Sequence, residues 1–281
     1  MKDTLPESHD RPLFRSLARR RRSAGPPAGI LAGLVFALAA PGGGWYWLRS
    51  REAPAAADEI VGRRAVDAPE AASAPRPLSV PPLDLPALEA SDAFVREVVG
   101  RLSAHPRLAA WIVPDELVHR FVVAVVRLAG GYSPARELTA VAPDGEFGVQ
   151  EREARLFVDA SSHRRYDALV EAFVSLDTEG TVVLFHQLRP LFEEAYGELG
   201  LRARTFDEVL ARAVANLLAV EVPDGPLEVV PHESVYRFAD PALEARGEAG
   251  KHLLRMGPDN ARRFQAKLRE LAEGIGVATG P

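Results

Sequence analysis

The chain has no cysteine. That excludes disulfides, a thiolate metal centre and a lipid-modified cysteine as a membrane anchor. Lysine is almost missing as well: Lys2, Lys251 and Lys267 stand alone among 34 basic residues. With so much Ala, Gly and Pro, the arginine surplus reads as the coding bias of a GC-rich genome. It is therefore poor evidence for nucleic-acid binding. The net charge of -5 points the same way, because a dedicated phosphate binder is usually basic. Residues 1–26 hold seven basic and three acidic groups, which leaves about -9 on the remainder. Tandem repeats are absent.

What is present is one uncharged run with unequal flanks. No charge occurs from Ser23 to Leu48. Ile30 to Leu48 as a helix would rise about 28 Å, close to the hydrocarbon thickness of a bilayer. Between Arg11 and Gly29 there are six arginines and no acid, whereas Arg49 to Glu70 mixes four arginines with five acids. The positive-inside rule then sets the N-terminus in the cytoplasm and the bulk of the chain outside it. Trp45-Tyr46-Trp47 supplies rings suited to the outer headgroup level. Pro41-Gly42-Gly43-Gly44 interrupts the run, and Ala37-Leu38-Ala39 has the small-x-small pattern of a signal-peptidase site. A cleaved signal peptide is the rival reading; both export the rest of the chain.

Seven prolines between Arg51 and Pro86, with alanines among them, leave little apolar surface to bury, so this stretch reads as a linker. The expected organisation is a basic cytoplasmic tail over 1–26, a transmembrane anchor over 27–49, a disordered Pro/Ala-rich linker over 50–85 and a globular domain over 86–281. The expected fold class is mainly α: a single helical domain with one or two small β hairpins.

Helical spacing carries most of that domain. Ser91 is expected to cap a helix bearing Phe94, Val98, Val99 and Leu102. Asp115 to Ala129 aligns Leu117, Phe121, Val125 and Leu128 as a central buried helix, although Val122 to Val126 also suits a strand. Glu137 to Val158 is expected to be β, turning at Pro143-Asp144-Gly145. Ser161 is expected to cap a helix with Tyr166, Leu169, Val170, Phe173 and Val174. Thr181 to Leu199 aligns Phe185, Leu188, Phe192 and Tyr196, with Pro190 expected to kink or split it and Gly200 to close it. Thr205-Phe206-Asp207-Glu208 is a capping box. Leu227 to Val230 and Val235 to Phe238 suit a second β element. Asp240-Pro241 and Gly257-Pro258 open two further helices. The last of these spaces Ala261, Phe264, Leu268, Leu271 and Ile275 as a core-facing stripe, with a short coiled coil as the alternative.

Four strings carry a family resemblance: Ser91 to Glu97, Arg165 to Val170, Tyr236 to Glu244, and Lys251-His252-Leu253-Leu254-Arg255-Met256-Gly257-Pro258-Asp259-Asn260-Ala261-Arg262-Arg263. Together they resemble the bacterial domain-of-unknown-function family 3014, over nearly all of Leu85 to Leu271. The resemblance implies a single-pass envelope protein with a proline-rich linker and one C-terminal domain. It implies no activity and transfers no functional residue.

Chemistry is sparse. His186 precedes Glu193 and Glu194 by seven and eight residues, but no second histidine stands one turn away to complete a metal pair. His163-Arg164-Arg165-Tyr166 and His232-Glu233 read more plainly as surface residues. Ser161-Ser162 lacks a nucleophile elbow, and Gly130-Gly131 lacks the lysine of a phosphate loop. No catalytic, cofactor or metal residue is assigned. The sharpest candidate is an anion contact: Arg255, Arg262 and Arg263 beside the free N–H groups where Gly257-Pro258 opens a helix. Asp259 and Asn260 compete for those groups. The expected function is a membrane-anchored, non-enzymatic envelope protein of the inner membrane, whose exported domain binds a protein or cell-wall partner and no nucleic acid. The alternative is a hydrolase-like envelope enzyme using His186 or His163 with nearby carboxylates. A third possibility is dimerisation through the last helix.

Overall fold

The computed structural model describes residues 83–135, 137–138, 142–233 and 235–277. The tail, the anchor, the possible cleavage site and nearly all of the linker lie outside the described residues. Among the described residues no helix is long and apolar enough to cross a membrane.

The first helix, α1 (Asp92–Gly100), follows a single 3-10 turn at Leu88–Ala90. Ser91 precedes it but does not cap it. Its buried hydroxyl donates to the Leu88 carbonyl at 2.7 Å, which reinforces the turn by which the chain arrives. Asp92 does more, since its carboxylate accepts the N–H of Glu116 at 2.8 Å and of Leu117 at 2.9 Å. Those donors open α3 (Leu117–Ala129), which follows the short α2 (Pro106–Trp111). In α3, Leu117, Val125 and Leu128 are fully buried and Phe121 nearly so. Val122 is also at 0% exposure, which is why the segment mimicked a strand: a helix packed by α1 and two later helices is apolar on most of its surface.

Two hairpins come next in sequence and join in space. Strands β1 (Val149–Arg152) and β2 (Arg155–Val158) pair antiparallel around Glu153 and Ala154. Both turn residues are left-handed, at φ 52° and 60°, the geometry of a two-residue hairpin turn. Pro143-Asp144-Gly145 does bend the chain, with Gly145 at φ 76°, but lies upstream of the hairpin. Helices α4 (Ala160–Arg164) and α5 (Asp167–Val174) follow. The cap of α4 is Asp159, which accepts the Ser161 N–H at 2.7 Å; Ser161 already lies inside the helix.

Helix α6 (Thr178–Glu198) passes through Pro190 as one element. Pro190 is exposed, so the carbonyl it deprives of a donor faces the solvent side rather than the core. Gly200, at φ 75°, ends the segment as expected. Helix α7 (Phe206–Leu218) begins with the complete capping box of Thr205 and Glu208. Strands β3 (Glu228–His232) and β4 (Val235–Phe238) lead to the short α8 (Pro241–Glu244), capped by Asp240. Helices α9 (Glu248–Arg255) and α10 (Pro258–Ile275) complete the fold.

The protein is therefore mainly helical with one four-stranded antiparallel sheet in the order β1-β2-β3-β4. The link is β2 to β3, with Leu156 opposite Val229 and Phe157 opposite Glu228. By strand alternation Val158, Val229 and Phe238 face the core, while Gln150, Phe157, Glu228, Val230 and Arg237 share the outer face. Helix α3 packs between α6 and α7, and α10 closes over α5, α6 and α7. Phe121, Phe192 and Phe206 form one aromatic cluster, with centroids 4.9 to 5.9 Å apart. Phe173 meets Phe264 at 4.7 Å. The stripe from Ala261 to Leu271 is fully buried and Ile275 is 9% exposed, so α10 is a core helix and not a free coiled-coil seam.

Candidate functional site

Two places gather chemistry: the elbow between α9 and α10, and the outer face of the sheet. The elbow turns on Gly257, at φ 82° and ψ 162°, a backbone region essentially reserved for glycine. A Cβ there would lie 2.5 Å from Cγ of His163, so the ring rests directly on the glycine backbone. Asn260, one turn into α10, donates to the His163 carbonyl at 3.1 Å, to Asp167 Oδ1 at 2.7 Å and to the Met256 carbonyl at 3.3 Å. One buried amide thus clamps α4, α5 and the elbow together. Nε2 of His163 is buried without a hydrogen-bond partner. Burial lowers its pKa against the pull of Asp159, Asp259 and Asp167, so the ring is neutral there. Tyr166 is pushed up to about 12 by burial, against Arg165 and Arg255.

The elbow also seals β4. The Arg255 guanidinium donates to the Tyr236 carbonyl at 3.2 Å and stacks 5.5 Å from the Phe238 ring centre. Glu244 accepts the Phe238 N–H at 3.0 Å and the Lys251 ammonium at 2.9 Å. Burial works to raise the Glu244 pKa, but the bonds from Lys251 and Phe238, with the charges of Lys251 and Arg255, hold it below the usual carboxylate range. Two backbone groups on the outer side of an edge strand are thereby satisfied by side chains.

This geometry distributes the three arginines. Arg255 is committed to β4. Arg262 reaches Asp224 and the Val222 carbonyl, in the loop between α7 and β3. Arg263 is exposed on α10. Asn260 uses its side chain on α4 and α5, and Asp259 lies exposed beside the helix start.

The histidines are dispersed. His186 sits on α6, its pKa lowered by burial and by Arg189 against Asp207. Glu193 is occupied by the Phe206 N–H at 3.4 Å, and Glu194 is exposed. His119 meets Glu198 at 2.6 Å, joining α3 to the end of α6. Sequence reasoning missed one contact of suggestive chemistry: Ser133 Oγ lies 3.1 Å from His252 Nδ1, and the Ser133 N–H donates to Glu248 at 3.1 Å. Ser133 is buried and its hydroxyl also accepts the Ala135 N–H at 3.2 Å, which makes it a turn lock. Spacing over 119 residues gave no signal for it. Among the described residues no three His, Asp or Glu side chains are grouped as metal ligands.

The outer face carries an open groove of about 370 Å³. Its floor is apolar: Phe157 from β2, Leu227 before β3, Leu243 from α8, and Pro223 and Pro226 from the loop between α7 and β3. One wall is an ion pair. Arg155 Nε donates to Glu228 Oε1 at 2.8 Å, its Nη2 pairs with the other oxygen, and the guanidinium lies 5.4 Å from the Phe157 ring centre. The hydrogen bond from Arg155 holds Glu228 below the usual carboxylate range. Asp240, at the cap of α8, also lines the groove. None of the described histidines lines this groove.

A family model described as a protein of unknown function, DUF3014, matches residues 117–272, more than half of the chain. The chain belongs to the DUF3014 family. Neither a curated protein nor a solved structure matches it. The DUF3014 match starts at the first residue of α3 and ends in the last turn of α10, so it takes in the sheet, the elbow and the groove. It leaves out α1 and α2, which the resemblance had included from Leu85.

Proposed function

We propose that this DUF3014 protein is a membrane-anchored, non-enzymatic binding protein. A single N-terminal span holds it in the inner membrane of a bacterium, and the helical domain works on the far side, engaging another protein. The location is supported by the uncharged run from Ser23 to Leu48, its arginine-rich cytoplasmic flank and the tryptophans at its far end. The binding role is supported by the groove: open, lined largely by apolar side chains, and bordered by the Arg155–Glu228 ion pair. His163 and His186, on which a hydrolase would rely, stand on separate elements and outside the groove.

The missing cysteines make location directly testable. Ser8→Cys and Ala203→Cys each place one thiol in an otherwise thiol-free chain, the second at an exposed site between α6 and α7. A membrane-impermeant maleimide should label the Ala203→Cys protein in intact spheroplasts and the Ser8→Cys protein only after lysis. The reverse order, or labelling of neither until lysis, refutes the exported domain.

A further inference from the structure

His163 stands where one proton has a mechanical consequence. Its ring rests on the backbone of Gly257, the residue that turns α9 into α10, and its Nε2 is buried with no hydrogen-bond partner. A neutral ring tolerates that site, since its proton can sit on Nδ1 and leave Nε2 bare. An imidazolium carries a donor on both nitrogens, so a charged N–H would be buried unpaired. The charged groups around the ring come from each element packed near it: Asp159 and Arg164 at α4, Arg165 after it, Asp167 on α5, Arg255 on α9 and Asp259 on α10. The carboxylates attract a proton without bonding the ring. Asp159 is engaged with Ser161, Asp167 Oδ1 with Asn260, and Asp259 is exposed to solvent. Burial outweighs their pull and keeps the ring neutral while the elbow is closed.

We propose that His163 is an acid-sensitive latch: its neutral ring holds the α9–α10 elbow shut, and protonation drives the ring off Gly257 and opens the elbow. The latch can yield locally. Helix α4 has only five residues, and it grips the elbow through the ring and through the Asn260 bond to the His163 carbonyl. Arg255 lies two residues before Gly257, so an opening elbow draws it from the Tyr236 carbonyl and the Phe238 ring and loosens the outer edge of β4. Glu244, on the other side of that seal, has its pKa held below 4.5 and keeps its charge at pH 5. His252, also on α9, meets Ser133 through Nδ1 and supplies a control. Outside the cytoplasm, where the domain is proposed to work, pH follows the surroundings. The latch itself belongs to the folded domain and stands whichever way the thiol labelling falls.

The test is amide exchange of the full-length protein in neutral-detergent micelles at pH 7.5 and pH 5, read by mass and corrected for intrinsic exchange rates. Protection over Met256–Ala261 and Tyr236–Phe238 should fall several-fold at pH 5. The fall is limited to about 30-fold, the ratio for an open ring of pKa 6.5 against a closed ring that stays neutral. Sub-molar urea separates local from global opening: the elbow amides should hardly respond to it, whereas those of α3 exchange through opening of the whole domain and should respond. His163→Asn should give the elbow equal protection at both pH values, and His252→Asn should keep the wild-type response. The proposal is overturned by wild-type elbow amides that ignore acid or share the urea dependence of α3, and neither result requires a variant. A response that survives His163→Asn, or that disappears in His252→Asn, overturns it as well.

Discussion

Gly257→Ala probes the elbow most directly. Two separate costs fall on one methyl group. The first is conformational, because φ 82° with ψ 162° lies outside the region an L-residue occupies comfortably, at about 1–3 kcal/mol. The second is steric. The new Cβ would lie 2.5 Å from His163 Cγ and 2.8 Å from both Cβ and Nδ1, and the ring is held by the Asn260 bond to its own carbonyl. Overpacking of this kind costs about 1–3 kcal/mol, so the sum is about 2–6 kcal/mol. Gly200→Ala is the clash-free control: its φ is 75° and nothing lies within 4 Å of the added carbon, so it carries a left-handed backbone cost and no steric one. Urea unfolding of the full-length protein in detergent should separate the two variants by about 1–3 kcal/mol. The double variant with His163→Ala should recover the steric part and leave the conformational part, giving a non-additive cycle. If Gly257→Ala costs no more than Gly200→Ala, or if the double variant is simply additive, the ring does not rest on the elbow and the account fails.

Other outcomes follow from the same contacts. Asn260→Ala should cost about 2–3 kcal/mol, since it leaves the His163 and Met256 carbonyls and Asp167 without their shared donor; Asn260→Asp should fare no better, because it brings an acceptor to a site that requires donors. Arg255→Ala should cost about 2 kcal/mol and, in amide exchange, expose the Tyr236–Phe238 segment faster than β3. The His163 pKa is depressed from 6.5 in the folded protein, so the unfolded chain binds more protons below that value. Stability from this group is full above pH 6.5 and lost as pH falls through the folded pKa. Urea midpoints from pH 7.5 down to 5 should fall less steeply in His163→Asn than in wild type, with His186, also depressed, supplying a residual slope; an unchanged slope refutes the buried neutral ring. Glu244 works at lower pH: its folded pKa lies below 4.5, so its contribution is present above that value and lost as pH falls through the folded pKa, and Glu244→Gln should flatten the acid limb.

Helices were legible because burial follows spacing. Phe185, Leu188, Phe192 and Tyr196 lie on the buried face that their spacing of three and four residues implies, and Thr205-x-x-Glu208 announced its own hydrogen bonds. The failures are local competitions. Ser161 was a natural cap, but Asp159 two residues earlier takes that place and accepts the Ser161 N–H; Ser91 spends its hydroxyl on the Leu88 carbonyl, so α1 starts without a side-chain cap. Pro190 cost little because its face of α6 is wet. The Glu153-Ala154 turn carried no glycine or asparagine to flag it; the β1–β2 register imposes the left-handed geometry on residues that do not prefer it. The basic character of Arg255 and Arg262 was visible in sequence, whereas their partners, Tyr236, Phe238 and Asp224, lie 17 to 38 positions away and only the fold selects them.

That selection bears on where function resides. The two most distinctive strings, Tyr236 to Glu244 and Lys251 to Arg263, turn out to be halves of one joint: Glu244 and Arg255 seal the outer backbone of β4, and Gly257 and Asn260 seat the elbow on α4 and α5. Residues so heavily committed to holding the fold have little capacity left for a ligand. What the joint holds in place is the sheet, with one face against the core and the other open. On that outer face the side chains the joint does not use include Phe157, Val230 and Arg237, with Leu243 and Asp240 lining the groove beside them. The distinctive strings therefore account for how the sheet is held, and the groove beside it is lined by residues from outside the joint, such as Phe157, Pro223 and Pro226.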